Sequence, residues 1–89
     1  MALGPVGQSM ERKLRDAFAP LALAVIDESQ RHHGHAGANP EGESHFRVEI
    51  TAAAFAGRSR VERHRMVNAV LAEELKARVH ALAIDAKAP

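Results

Sequence analysis

The sequence predicts an α+β domain of order αββ(α)αβ, a three-stranded mixed sheet with helices on one face. Three observations carry that prediction. Phe46, Val48 and Ile50 alternate with His45, Arg47 and Glu49, the period-two pattern of a half-buried strand. Ser59 is followed three residues on by Glu62, a capping box that opens a long helix. Apolar runs at 21–29 and 79–85 supply two further strands, and a single sheet backed by helices is the economical way to bury all of these surfaces.

Taken in order, residues 1–8 contain Gly4, Pro5 and Gly7 and read as a flexible tail, leaving a domain over 9–89. Ser9 caps a first helix over Met10–Phe18, whose apolar face is Met10, Leu14, Ala17 and Phe18; Pro20 ends it. Leu21–Ser29 is a strand with adjacent β-branched Val25 and Ile26. Gln30–Gly42 is rich in Gly and Pro and forms the loop of a hairpin with strand 44–51. Ala52–Ala56 is a short helix or turn closed by Gly57. The capped helix then runs over 60–77, burying Val67, Val70, Leu71 and Leu75. Glu74 falls within that apolar stripe, and nothing local explains it. The last strand covers Val79–Asp85, with His80, Leu82 and Ile84 on one face.

Eighty-nine residues make one domain. Much of the 46% apolar content is alanine, and Phe18, Phe46 and Phe55 are the only aromatic residues. No cysteine occurs, so thiolate ligation from this chain is excluded and any metal must be held by His, Asp or Glu. The N-terminus lacks the basic and apolar regions of a secretory signal, and no run reaches the ~18 apolar residues of a membrane span. The expectation is a cytoplasmic protein with no membrane partner, a monomer or weak homodimer alone. A net charge of +1 gives no global attraction for nucleic acid, so any such case rests on a local patch.

Two clusters carry chemistry. His32, His33 and His35 crowd four positions of the loop; neutral imidazole ligates borderline metals and replaces thiolate at some 2Fe–2S centres. Arg58, Arg60, Arg63 and Arg65 crowd the start of the long helix. Positive charge is unfavourable there, which points to a partner anion: phosphate, an acidic surface or carboxylates on a partner. A solvated basic face is the plain alternative. No aromatic residue accompanies them, so base stacking is not expected. His45 reads as an outward strand residue and His64 as one flanked by arginines on a helix. No nucleophile–base pair, carboxylate dyad or phosphate loop is present, so the chain reads as a non-enzyme.

The blocks Val25-Ile26-Asp27-Glu28-Ser29, Glu43-Ser44-His45-Phe46-Arg47-Val48, Phe55-Ala56-Gly57-Arg58-Ser59, Arg63-His64-Arg65-Met66-Val67-Asn68, Leu71-Ala72-Glu73-Glu74-Leu75 and Val79-His80-Ala81-Leu82-Ala83-Ile84 occur in an order that resembles the BolA family over residues 10–89. The resemblance implies a fold similar to the type II KH domain. It also implies partnership with a monothiol glutaredoxin through a shared 2Fe–2S cluster, with histidine ligands from this side. His80 matches the family's C-terminal ligand, and His32 or His35 matches the loop ligand. The same resemblance implies a second role, a DNA-binding transcriptional regulator of stress response and cell morphology that uses segment 55–77. The glycine-rich clamp of KH domains has no counterpart; Ala56-Gly57-Arg58-Ser59 lies nearest. A zinc module built from loop histidines and His80 is a third reading, weakened by its sparse donor set.

Overall fold

The computed structural model describes residues 3–29 and 42–89. Along the chain run α1 (Pro5–Phe18), β1 (Ala22–Asp27), β2 (His45–Thr51), a 3-10 turn (Ala53–Phe55), α2 (Arg60–Val70), α3 (Ala72–Ala77) and β3 (Ala81–Lys87). The sheet order is β1-β2-β3; β1 pairs antiparallel with β2, and β3 lies parallel to it. The expected α+β, mixed-sheet architecture is the observed one.

Alternation along the strands decides which side of the sheet is covered. Leu23 pairs with Ile50 and Val25 with Val48, while Phe46 aligns with Leu82 and Val48 with Ile84. These residues share one face. Val25, Phe46, Val48 and Ile50 there join Met10 and Leu14 of α1 and Val67 and Leu71 of α2 in the buried core, so the helices lie on one side only. Phe55 reaches the same core from the 3-10 turn, its ring centroid 5.0 Å from that of Phe18. Each large side chain buried this way stabilises the fold by roughly 1.5–3 kcal/mol. The opposite face carries Ala22, Ala24 and Ile26 on one flank and Ala81, Ala83 and Asp85 on the other, and several of these stay exposed.

Helix α1 starts at Pro5, so residues 5–8 are helical rather than a tail, and the N-cap is Gly4 rather than Ser9. The reason is a contact from far along the chain. Glu43 Oε1 accepts hydrogen bonds from the backbone N–H groups of Val6 (2.9 Å) and Gly7 (3.2 Å), satisfying donors that a helix start leaves open. Pro5 at the first position suits the geometry and has no N–H to satisfy. A Cβ at Gly4 would fall 2.5 Å from Glu43 Oε1, so a larger residue there would push the Glu43 carboxylate off the helix start. Ala17, placed on the apolar face by periodicity, is exposed.

The helix expected over 60–77 is interrupted at Leu71, where φ is −100° and ψ 18°. No Gly or Pro stands there. Leu71 N–H still donates to Val67 O and Leu75 N–H to Leu71 O, so the chain continues with a changed path. Strand β3 begins at Ala81, two residues later than expected. Arg78 and Val79 both donate to Glu74 O and so complete α3; His80 and Ala81 then share Ser44 O as the sheet begins.

Candidate functional site

Topology gathers three strand ends at one end of the sheet. The antiparallel pairing puts the end of β1 beside the start of β2, and the parallel pairing puts the start of β3 there too. His80 immediately precedes β3, and its N–H donates to Ser44 O at 2.7 Å. Its side chain is exposed, outside the strand in which it was expected to share a face with Leu82 and Ile84. His32 and His35, the loop ligands expected from the sequence, lie outside the described residues. The return of the segment that carries them, at Ser44, stands next to His80, and its departure from β1 lies at the same end of the sheet.

Those attachment points are tied by a polar cluster in which Ser29, Ser44 and His45 are buried and Asp27 is exposed. Asp27 Oδ1 accepts from Ser29 N–H (2.9 Å) and Asp27 Oδ2 from Glu43 N–H (3.2 Å). Ser29 Oγ accepts from the N–H groups of Ser44 (3.0 Å) and His45 (3.3 Å). His45 was expected to face water; it is only 9% exposed, with Nδ1 2.9 Å from Ser44 Oγ. Its ring centroid is 6.4 Å from that of His80. Alternation correctly gives the face of His45, but exposure depends on what converges at the strand end, which periodicity does not report. Among the described residues, no three His, Asp or Glu side chains form a metal site.

The arginines divide. Arg58, Arg60 and Arg63 line an open groove of about 550 Å³ together with Arg47 and His64; Arg65 is not part of it. Arg63 is held by backbone, its Nη1 donating to Ala86 O (3.1 Å) and its Nε to Arg58 O (3.0 Å). Arg58 lies 3.7 Å from Glu62, and Arg47 pairs with Glu28 at 3.2 Å. The capping box is present: Ser59 Oγ accepts from Glu62 N–H, and Glu62 Oε1 accepts from Ser59 N–H. The bonds to Ser59, with Arg58 nearby, hold the Glu62 carboxyl below its ordinary range, so an anion already offsets part of the charge at this helix start. Arg47 was not among the expected groove residues, though its outward place on the alternating strand was readable.

The chain has no cysteine, so imidazole is its borderline donor, and His80 presents one at the surface. The sequence matches the family described as BolA-like protein over residues 14–89. The chain belongs to the BolA-like family. Human BolA-like protein 1 is 47% identical over 88 residues, which cover 99% of this chain and 61% of that protein. The Escherichia coli protein described as DNA-binding transcriptional regulator BolA is 47% identical over 79 residues, 89% of this chain and 71% of that one. The solved BolA domain of SufE1 from Arabidopsis thaliana superposes with a TM-score of 0.90 at 43% identity, covering 99% of this chain and 96% of that domain. The BolA-like match spans His80 and all four arginines. No helix among the described residues of this BolA-like chain is long and apolar enough to cross a membrane.

Proposed function

We propose that this protein is an adaptor that docks on a monothiol glutaredoxin and contributes histidine to a shared 2Fe–2S cluster. The observation that carries the reading is the exposed His80 imidazole at the sheet end where the histidine-bearing segment is attached. His80 and one of His32 and His35 supply the ligands on this side. Because the chain lacks cysteine, thiolate ligation falls to the partner. The fixed strand start holds one ligand in place. The polar cluster of Asp27, Ser29 and Ser44 sets where the segment carrying the other begins and ends.

The test is to mix the protein with a cluster-loaded monothiol glutaredoxin and record visible absorption and circular dichroism. The expected result is an altered cluster spectrum in a one-to-one complex. An unchanged spectrum with no complex would overturn the reading.

The second reading is DNA binding, favoured by the arginine groove and by the name of the 47% identical E. coli relative. Here affinity should fall with salt at a log–log slope of about −0.9 per phosphate neutralised. Arg63 holds backbone carbonyls, so the informative variant is Arg58→Glu with Arg60→Glu, two groove residues whose change spares the Arg63 side chain. Binding insensitive to both salt and this change would remove the DNA reading.

A further inference from the structure

Among the described residues, strand β3 has one partner, β2, and so forms an edge of the sheet. In a parallel ladder, successive residues turn both backbone groups alternately toward and away from the neighbour. Two bonds fix the phase here: Ala81 N–H donates to Ser44 O at the start, and Ala52 N–H donates to Lys87 O at the end. Ala81, Ala83, Asp85 and Lys87 therefore face β2. Leu82, Ile84 and Ala86 turn their N–H and C=O groups to the open edge. Ala86 O is taken by Arg63 Nη1, and the outward backbone groups of Leu82 and Ile84 have no partner among the described residues.

The arginine groove opens along this same edge, with Ile84 and Ala86 in its wall. Among the described residues, four arginines and His64 line it with one carboxylate, Asp85, which lies 3.5 Å from Lys87. Glu62 and Glu28 pair with Arg58 and Arg47 from outside the groove, and Arg60 and Arg63 have no carboxylate partner among the described residues. Arg47 stands on the outer face opposite Ala83 in register and lines the groove; its Nε pairs with Glu28 at 3.2 Å, a contact that an incoming carboxylate would share or replace. Arg58, Arg60 and Arg63 come from the helix layer. An unpaired edge therefore lies between basic groups on both sides of the sheet.

We propose that the free edge of β3 accepts an extended acidic segment of a partner protein as a fourth strand. The main chain of the segment pairs with Leu82, Ile84 and the Ala86 N–H. Its side chains alternate between the two faces, so acidic residues on one side approach Arg47 and those on the other approach the α2 arginines. Main-chain pairing supplies affinity, and the charges select the sequence. The proposal does not depend on the histidines or on a cluster.

The test uses the full chain, 15N-labelled and titrated with a short synthetic peptide alternating Glu and Val. A Lys–Val peptide of the same length and a short DNA duplex serve as comparisons. The Glu–Val peptide should slow amide exchange at Leu82, Ile84 and Ala86 about tenfold or more, and the Lys–Val peptide should not. Ala86→Pro removes an outward N–H at an edge position, where proline is tolerated, and should weaken the Glu–Val peptide about tenfold. Arg58→Glu with Arg60→Glu should reverse the preference between the peptides, a readout that does not require the proline variant to fold. Shifts at the arginines without slowed exchange at the three amides would overturn the proposal. So would DNA that displaces the peptide at lower concentration and leaves those amides unprotected, which would assign the groove to nucleic acid.

Discussion

Lys13 Nζ lies 2.8 Å from Glu74 Oε2, joining the first helix to the last across 61 residues of chain. Ser9 Oγ donates to the same carboxylate oxygen at 3.0 Å. Burial pushes the Glu74 carboxyl up, but the bonds from Lys13, the backbone and Ser9 together leave it lowered. The hydrogen bond to Glu74 raises the Lys13 ammonium.

Glu73 offers a control for this pair. It is 91% exposed and 3.8 Å from the same ammonium, whereas the Glu74 side chain is 10% exposed. Glu74→Ala should cost about 1.5–3 kcal/mol, the range for a hydrogen bond to a charged group. Glu73→Ala should stay within about 0.5 kcal/mol. Because Glu74 titrates lower folded than unfolded, its contribution is complete above the unfolded value, about 4.3, and disappears as pH falls through the folded one. Urea melts from neutral to acidic pH check both points; equal costs for the two variants, or a Glu74→Ala deficit that persists at low pH, would refute them.

Ala19 ends α1 at φ 44°, a left-handed position held by a non-glycine residue, with its N–H on Arg15 O at 3.0 Å. Gly57 occupies φ 74° with open space where a Cβ would go. The two sites should respond in opposite senses. Ala19→Gly should stabilise by a few tenths to about 1 kcal/mol, because relief of strain exceeds the added chain entropy. Gly57→Ala should destabilise by about 1–2 kcal/mol through backbone strain alone. Thermal denaturation of both variants reads the signs directly.

His80 and His45 are neighbours with different exposure, and their alanine variants should separate ligation from folding. His80→Ala should melt with the wild type to within about 0.5 kcal/mol, as expected for an exposed side chain, yet no longer alter the glutaredoxin cluster spectrum. His45→Ala should lose about 1–3 kcal/mol, because its removal leaves the buried Ser44 hydroxyl short of a partner. A His80→Ala protein that gives an identical cluster spectrum would rule out ligation from this position.

Ser59→Ala should cost about 1 kcal/mol by removing one half of the capping box. Ser59→Asp should restore most of it, since a carboxylate accepts the same N–H and suits the helix start. Chemical denaturation of the pair measures the difference; an alanine variant as stable as wild type would mean that the box adds nothing to the net stability.

The sequence by itself determined the features that depend on neighbours along the chain. The alternation of Phe46, Val48 and Ile50 placed β2 and its buried face, and the spacing of Ser59 and Glu62 placed the start of α2. The six ordered blocks placed the family, because each records a local pattern of packing or turn chemistry. Tertiary structure decided what rests on partners distant in sequence. The start of α1 moved to Pro5 because Glu43 satisfies its first donors, and the misfit Glu74 found its place against Ser9 and Lys13. His45 became buried because Ser29, Ser44 and His80 converge at its end of the strand. The arginine groove needed Arg47, which reaches the helix residues only once the sheet has formed. Periodicity reports which way a side chain points; the groups that meet it there are set by the packing of elements whose separation along the chain carries no local signal.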